Sequence, residues 1–234
     1  MSDAMDLSQA PFVNQILDRA RNELLGRSYD TFNIDHLIPF AASLDTAAYV
    51  ADHAADAARF ASNHDLLRAG LDCAPRDGLV LEFGVASGST LRTIANHWKQ
   101  PVFGFDSFEG LPEQWRPGFP AGMFAQNPPD TPANASLVRG WFDQSLPTFA
   151  QTHPGDVAFL HIDCDLYSST RTIFEILGHR IKPGTIIVFD EYWNYPGWRT
   201  HEFKAFHEFL AWSKRSYSFL GFVPSHQQAG VIII

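Results

Sequence analysis

Short apolar runs alternate with helix-like stretches from residue 79 to about residue 190. Each run is bounded by turn signals, which predicts a buried strand. Alternation of strands and helices is typical of a parallel sheet wound on both faces. The five runs cover residues 79–81, 101–106, 135–138, 157–162 and 185–189. We therefore predict an α/β fold with a doubly wound, mostly parallel sheet, which reaches seven strands when the C-terminal segments are added.

Both ends of the chain show different patterns. After residue 200, apolar residues recur at helical spacing, and the segments YSFLGFV and AGVIII then predict a hairpin whose inner strand is Val231 to Ile234. Before residue 79 we predict helices at roughly 9–26, 45–58 and 60–73, with Pro39 and Pro75 as helix breakers. The predicted organisation is a helical N-terminal addition, residues 1–78, packed on a core domain, residues 79–234. These helices could also mediate homo-oligomerisation.

The stretch LVLEFGVASGSTL, residues 79–91, predicts a cofactor site. A strand ends in an acid, and a turn bracketed by two glycines then opens a helix whose first N–H groups are free to bind an anion. The spacing is G-x-x-x-G rather than the G-x-G-x-x-G of dinucleotide folds, so S-adenosylmethionine (SAM) fits better than NAD. The alternative is an ordinary structural turn. The candidate cofactor residues here are Glu82, Gly84, Gly88, Ser89 and Thr90.

Two later segments complete the predicted cofactor pocket. Asp106 ends the second strand, about 20 residues after the glycine turn, where a ribose-binding carboxylate is expected, and Ser107 follows it. Asp106 could instead cap the loop before Glu109. After the third strand, Trp141 and Phe142 offer flat surface for adenine and Asp143 could accept from its amine. The alternative places the two rings in the core and makes Asp143 a helix cap.

Acids also follow the fourth and fifth strands. Strand ends of a parallel sheet share one edge, so Asp163, Asp165, Asp190 and Glu191 are expected to converge on the cofactor crevice. Such a cluster needs a compensating cation, and oxygen ligands suit Mg²⁺, Mn²⁺ or Ca²⁺. We predict Asp163, Asp190 and Glu191 as metal ligands, with Asp163 also touching the cofactor and acting catalytically. Asp165 could merely cap the following helix.

Two aromatic segments are candidates for the acceptor site. The loop between Gly110 and Ala135 contains six prolines and several aromatic residues, which favours a lid over a surface excursion. The segment YWNYPGW, residues 192–198, could stack against a sugar or an aromatic acceptor, or it could close the core. Among the histidines, His161 is expected to be structural and His201 is a remote candidate base.

Composition narrows the function classes. The 234 residues carry 17 Lys and Arg against 26 Asp and Glu, a net charge of −9 with no basic cluster, which argues against a nucleic-acid substrate. No apolar stretch suggests a signal sequence or a bilayer span, and Cys73 and Cys164 are the only cysteines. A reducing, cytoplasmic setting is expected, with no membrane partner.

The motifs EFGVASGST, GFDSFEGLPE, RGWFDQSLP, HIDCDLYSST and KPGTIIVFDEY together resemble the macrocin O-methyltransferase (TylF-like) family. The resemblance covers about residues 79–195. It implies a Rossmann-like class I methyltransferase fold, SAM at the glycine turn, and a divalent metal held at the positions of Asp163, Asp190 and Glu191. This chain departs from the family where a second aspartate is usual, because Glu191 stands there.

The function expected from the resemblance is SAM-dependent methylation of a small-molecule hydroxyl, on a sugar of a natural product. In such a reaction the protein aligns the acceptor oxygen with the methyl group, and Asp163 or a neighbouring carboxylate accepts the proton. The open alternatives are a phenol or amine acceptor, a SAM-binding protein without catalysis, and an NAD-dependent Rossmann-like protein.

Overall fold

Parallel strands joined by crossover helices dominate the part of the chain that the computed structural model describes, residues 33–234. The strands are β1 Ala58–Arg59, β2 Leu79–Phe83, β3 Val102–Asp106, β4 Ala135–Arg139, β5 Val157–Ile162, β6 Ile181–Phe189, β7 Tyr217–Phe222 and β8 Ala229–Ile233. The helices are α1 Ile34–His53, α2 Asn63–Cys73, α3 Ser89–Trp98, α4 Phe142–Thr152, α5 Tyr167–Leu177 and α6 Glu202–Ser213, with 3₁₀ turns at Gly178–Arg180 and Trp198–Thr200.

The strands form one sheet in the order β1-β7-β8-β6-β5-β2-β3-β4. Only β8 runs against its neighbours, β6 and β7, as the predicted hairpin requires. The prediction of a doubly wound, mostly parallel sheet is confirmed, and β8 is the inner strand of the hairpin. Helices cover both faces, and two hydrophobic clusters form the core, one on each side of the sheet.

The sheet has eight strands rather than seven, because the short edge strand β1 was missed. Its register pairs Ala58 with Gly221 of β7. A Cβ added at Gly221 would lie 2.6 Å from the Ala58 carbonyl oxygen. Gly221 therefore lets β1 approach β7 closely. The sequence pattern had predicted the end of the 45–58 helix at this position of β1.

The N-terminal prediction needs further correction. The helix expected at 45–58 is α1, which begins at Ile34 and contains Pro39. The side chain of Asn33 fixes this start by accepting a hydrogen bond from the Asp35 amide at 3.0 Å. The expected helix at 9–26 lies outside the described residues. Helix α2 packs Leu66, Leu67 and Leu71 into the same cluster as β2 and β5, and the domain boundary at residue 78 stays a prediction.

The aromatic segment 192–198 is part of the core. Tyr192, Trp193, Tyr195 and Trp198 are each at most 2 % exposed. Tyr192 and Trp198 pack against Phe203 of α6, with ring centroids 5.3 and 4.7 Å apart. The hypothesis that these rings form an acceptor platform is therefore wrong, because α1, α6 and β7 cover three of them and Trp115 packs against the fourth, Tyr195. Between residues 33 and 234, no helix has both the length and the apolar character that a membrane span needs.

Candidate functional site

The carboxyl ends of the central strands meet along one rim. Backbone hydrogen bonds continue past the strands, from the amide of Gly84 to Phe105, from Asp163 to Phe83, and from Asp190 to Ile162, at 2.8 to 2.9 Å. A similar bond joins the Gly140 amide to the Asp106 carbonyl. The segments after β2, β3, β5 and β6 therefore lie side by side, as the parallel topology predicts.

Gly84 allows two of these segments to touch. Its φ is +94°, and a Cβ there would lie 1.7 Å from the carbonyl oxygen of Asp163. No other residue type fits this position without moving the loop that follows β5. The requirement for glycine in the turn thus comes from the neighbouring strand as well as from backbone conformation.

Asp106 organises the glycine turn. One carboxylate oxygen accepts from the amides of Val85 and Ala86 at 2.9 and 2.8 Å, and the other accepts from the Phe108 amide at 2.7 Å. The loop-capping alternative is therefore present in the structure. Asp106 also lies in the wall of the cavity described next.

A cavity of about 920 Å³ opens above this rim. Its volume is at the upper end of the range for small-molecule sites. The predicted site residues that line it are Gly84, Asp106, Ser107, Trp141, Phe142, Asp143, Asp163, Asp190 and Glu191. The predicted residues outside its lining are Glu82, Gly88, Ser89 and Thr90. The structure thus brings the later strand ends together but leaves the start of α3 outside the cavity lining.

The predicted adenine wall is partly open to the cavity. Trp141 and Phe142 are half-buried, and the Phe142 ring meets Phe83 edge-on at 5.3 Å between centroids. Asp143 is exposed in the first turn of α4, whose N-cap residue is Trp141, so Asp143 is not the cap. The alternative that gave Asp143 a capping role is wrong.

Glu82 lies beneath the rim, where it is fully buried beside His161. The distance from Glu82 Oε1 to His161 Nδ1 is 2.8 Å. On the other side of the ring, His161 Nε2 lies 3.9 Å from Asp190 Oδ1, too far for a hydrogen bond. Both of these facing atoms are buried without a partner. Burial alone would lower the pKa of His161, but Asp190 and Glu82 raise it to about 10.

The pKa values of the acids around His161 are shifted in different directions. Burial and the nearby Asp190 charge raise the pKa of Asp163 well above its usual range. The same two causes, in the same order, raise the pKa of Glu191. Burial would also raise the pKa of Asp190, but His161 and Gln228 lower it. Of these three acids, Asp190 is therefore the one whose charged form is favoured.

Possible ligand atoms of His161, Asp163 and Asp190 all lie within 4.8 Å of one another. Among residues 33–234 this is the only such group, so Glu191 is not within the same distance of the other two acids. Glu191 Oε2 and Asp190 Oδ1 are nevertheless buried without hydrogen-bond partners. The structure thus adds His161, which was expected to be purely structural. Its signal in the sequence is its position two residues before Asp163, on the same side of the strand.

Asp165 does not cap α5. The N-cap of this helix is Leu166, and no side chain caps its first turn. Asp165 instead has a φ of +63°, and the Leu166 amide donates to the Cys164 carbonyl across it at 2.6 Å, which makes a strained γ-turn. Its carboxylate lines the cavity. Burial and the Asp190 charge raise the pKa of Asp165 to about 7, which suits proton transfer near neutral pH.

Two residues that the sequence did not reveal support these acids. Glu202, the first residue of α6, is fully buried and accepts from the amides of Cys164 at 3.4 Å and Glu191 at 3.2 Å. Gln228, from the hairpin loop, donates to Asp190 Oδ2 at 3.1 Å. Neither stands in a motif, because each reaches the site from a distant part of the chain.

The loop between Gly110 and Ala135 forms one wall of the cavity. Backbone hydrogen bonds join Leu111 to Met123 at 2.9 Å and Gly122 to Leu111 at 2.8 Å, which fold the loop back on itself. Its cavity-lining residues are Leu111, Pro112, Trp115, Arg116, Phe119 and Phe124. Its position fits the predicted lid, and a lid motion stays a prediction.

Comparison with known proteins agrees with this architecture. Residues 81–192 match a protein-family model described as a methyltransferase domain. The structure of CalS11, calicheamicin methyltransferase, is similar with a TM-score of 0.58 and 21% identity, over 99% of this chain and 98% of that one. The O-methyltransferase NovP gives a TM-score of 0.53 and 19% identity, over 73% and 78% of the two chains.

A second structure of CalS11, described as a TDP-rhamnose 3'-O-methyltransferase, gives a TM-score of 0.52 and 20% identity, over 97% and 98%. No curated protein sequence is significantly similar to this one. At these identities the structural likeness shows the fold, and the matched family model shows the kind of domain. Residues 81–192 therefore match a methyltransferase domain, and the chain has the class I fold of the SAM-dependent methyltransferases.

Proposed function

We propose that the protein transfers the methyl group of SAM to a hydroxyl group of a small molecule, a sugar of a natural product. The observation that carries this proposal is the single cavity that runs from the glycine turn at Gly84 to the acids at Asp163, Asp165 and Asp190. Such a cavity can hold a nucleoside at one end and an acceptor oxygen beside carboxylates at the other.

The cofactor end of the cavity is proposed to take the nucleoside of SAM. Trp141 and Phe142 offer half-buried rings for adenine, and the exposed Asp143 carboxylate can accept from its amine. Asp106 already accepts three backbone hydrogen bonds, so it has room for one further donor from a ribose hydroxyl. Its main contribution is to hold the turn in shape. The cofactor roles proposed for Glu82, Gly88, Ser89 and Thr90 stay predictions, since none of the four lines the cavity.

Methyl transfer needs an aligned acceptor oxygen and a group that takes its proton. Asp165 is the carboxylate best suited to the second task, because it lines the cavity on a strained turn and its pKa is raised to about 7. Burial and the Asp190 charge also raise the pKa of Asp163, which favours its protonated form when no cation is bound, whereas a bound cation would favour the ionised form that can act as a ligand. This assignment shifts the base from Asp163 to its neighbour.

A divalent cation, Mg²⁺ or a similar ion, is proposed beside the acids. The unpartnered buried oxygens of Asp190 and Glu191 support this role, together with a carboxylate oxygen of Asp163, and Glu191 would have to move closer to the other two acids to bind the same ion. Bound there, the ion would lower the pKa of an acceptor hydroxyl. The close group formed by His161, Asp163 and Asp190 offers a nitrogen as well, which would widen the choice beyond Mg²⁺.

The acceptor class is supported by the names of similar structures. CalS11 is described as a calicheamicin methyltransferase acting on TDP-rhamnose, and the motifs of this chain resemble macrocin O-methyltransferases. A cavity with several carboxylates and a net chain charge of −9 supports a small molecule over nucleic acid. Both cysteines are free thiols, which supports action in the reducing cytoplasm. Homo-oligomerisation through the N-terminal helices also stays a prediction.

Three measurements test the proposal. Mass spectrometry of the denatured, freshly purified protein should detect SAM or S-adenosylhomocysteine, and calorimetry should give a dissociation constant for S-adenosylhomocysteine. Labelled SAM, supplied with deoxysugar-bearing, phenolic and amine acceptors, should label the sugars. Elemental analysis before and after chelation, with activity restored by Mg²⁺, tests the metal.

Each alternative has its own outcome. Co-purified NAD in place of SAM would overturn the methyl-transfer proposal. Tight SAM binding without turnover on any acceptor class would favour a binding protein. Labelled phenols or amines without labelled sugars would change the proposed acceptor class but leave methyl transfer as the reaction. Full activity in chelator would exclude only the proposed role of the metal.

A further inference from the structure

Arg116 is the only lysine or arginine in the lining of the cavity, where it faces six carboxylates. It lies in the loop that forms the cavity wall, outside every motif that suggested the cofactor site. Its position is defined by a tight turn, because the Phe119 amide donates to the Arg116 carbonyl at 2.9 Å and Gly118 has a φ of +90°. Pro117 and Gly118 are the residues that such a type II turn prefers at its centre.

Three aromatic rings hold the guanidinium group. Its central carbon lies 3.8 Å from the ring centroid of Trp115, 4.6 Å from that of Phe119 and 4.9 Å from that of Tyr195. Cation–π contacts of this kind orient the planar group without consuming its N–H donors. The side chain is therefore positioned by packing, and its hydrogen-bonding capacity is left over.

That capacity is unused among residues 33–234. Arg116 Nε is buried and has no hydrogen-bond partner, and no carboxylate of the described chain lies within ion-pair distance of the guanidinium. The side chain as a whole is half-buried, but a buried N–H donor without an acceptor is costly, so an acceptor that reaches Nε would recover free energy.

Arg199 provides the contrast within the same protein. Its guanidinium also stacks on an aromatic ring, with its central carbon 4.1 Å from the centroid of Trp198. It is satisfied, however, by two hydrogen bonds of 2.9 Å to the two oxygens of Asp45. Arg199, which stacks outside the cavity, thus has a carboxylate partner, whereas Arg116, which stacks in the cavity wall, has none among residues 33–234.

We propose that Arg116 binds an oxyanion, a phosphate or carboxylate group, carried by the methyl acceptor. The planar fork of the guanidinium matches two oxygens of such a group. Arg116 is the only lysine or arginine of the lining, and the charged Asp190 carboxylate would repel an anion at the other end, so the guanidinium would fix both where the acceptor binds and which way it points. This inference rests on the proposed function and adds a charge requirement to the acceptor.

The test uses calorimetry on the full-length protein saturated with S-adenosylhomocysteine, in chelator so that a metal does not contribute. The probes are glucose 1-phosphate, glucuronate and, as a neutral control, methyl glucoside. At least one anionic probe should bind more tightly than methyl glucoside. Arg116→Met, which keeps the packing, should weaken that probe by about tenfold or more, and Arg116→Lys should weaken it less. Arg68→Gln, at an exposed arginine of α2, should change nothing.

The outcomes separate this inference from the proposed function. If the unaltered protein does not bind S-adenosylhomocysteine, the proposed use of SAM as the cofactor fails. Normal S-adenosylhomocysteine binding with no preference for either anionic probe, or an Arg116→Met variant that binds them as well as the unaltered protein, would overturn the role of Arg116. Weaker S-adenosylhomocysteine binding in Arg116→Met with unchanged probe binding would assign the guanidinium to the cofactor carboxylate and also overturn it. The relative strength of glucose 1-phosphate and glucuronate identifies the anion.

Discussion

The missing side chain of Gly84 lets the glycine turn lie against the loop that carries Asp163. We predict that Gly84→Ala lowers the free energy of unfolding by at least about 3 kcal/mol, because the new Cβ adds a backbone clash to a positive φ. Urea unfolding measures the effect. Gly118→Ala is the matched control, since Gly118 has nearly the same φ, +90°, and nothing within 4 Å of an added Cβ. It should cost only about 1–2 kcal/mol, and equal losses would refute the clash.

Asp165 carries the proposed proton transfer. Asp165→Asn removes the base but keeps the size of the side chain, so we expect turnover to fall by roughly 10²–10⁴-fold while S-adenosylhomocysteine affinity stays the same. In the unaltered enzyme, turnover should rise with pH around 7, where this carboxyl loses its proton. That rise should vanish in the variant. Asp156→Asn, at an exposed position, is the control. A variant that keeps near-normal turnover would exclude Asp165 as the base.

At the scale of helices and strands, the sequence predicted those elements whose ends are set by local patterns of apolar and polar residues. The run Val157 to Ile162 is apolar throughout and ends at Asp163, so its bounds as a strand and its place on the rim followed from the pattern and the parallel topology. The same reasoning wrongly predicted a break at Pro39, because the helix begins earlier, at Ile34, where the Asn33 side chain caps it, and then continues through the proline. It also failed at Trp193, since an aromatic run reads alike in a core and in a cavity wall.

The residues that support the acids could not be predicted from local sequence patterns. Glu202, Gln228 and Arg116 come from three elements that no motif links to the strand ends, and their roles depend on contacts across the sheet edge. His161 was underestimated for a related reason, since its partner Glu82 is 79 residues away and entered the prediction as a cofactor contact. Sequence patterns thus located the rim, whereas the groups that tune its acids needed the folded chain.

Helix α6 stabilises the two acid-bearing loops through Glu202. We predict that Glu202→Gln, which replaces one of two acceptor oxygens with a donor, leaves a buried amide unpaired and lowers stability by about 1–3 kcal/mol. Glu202→Leu, which removes both acceptors, should lower it further. Because the loops after β5 and β6 would loosen, kcat should fall more than the affinity for S-adenosylhomocysteine. Thermal unfolding and steady-state kinetics measure the two effects.

Glu208→Gln is the matched control on the same helix. Glu208 is exposed and accepts from the Tyr167 hydroxyl at 2.7 Å, away from the loops. This variant should keep kcat and change stability by less than about 1 kcal/mol. If both glutamine variants behaved alike, the loss at Glu202 would reflect charge on α6 rather than support of the acids.

For the whole molecule, the acid cluster opposes folding as pH rises. Burial raises the folded-state pKa of Asp163, Glu191 and Glu202, and brings that of Asp165 to about 7. Above the unfolded pKa of each acid, the folded chain therefore holds more protons than the unfolded chain, so stability falls with increasing pH. His161 acts in the same direction, because its folded pKa of about 10 makes its contribution decline above pH 6.5. The lowered pKa of Asp190 has the opposite sign, but its effect is complete above its usual value near 4.

We therefore predict that the melting temperature, measured in chelator, decreases by at least a few degrees between pH 5 and pH 8. Asp165→Asn should show a smaller decrease, because one of the titrating acids is gone, and Asp156→Asn should follow the unaltered protein. Adding Mg²⁺ at pH 8 should restore part of the loss if a divalent cation compensates the same acids, and should do less at pH 5, where protons already compensate them. A melting temperature that rises from pH 5 to pH 8 would mean that the cluster is stabilised in its charged form, and the raised pKa of Asp163 would have to be abandoned.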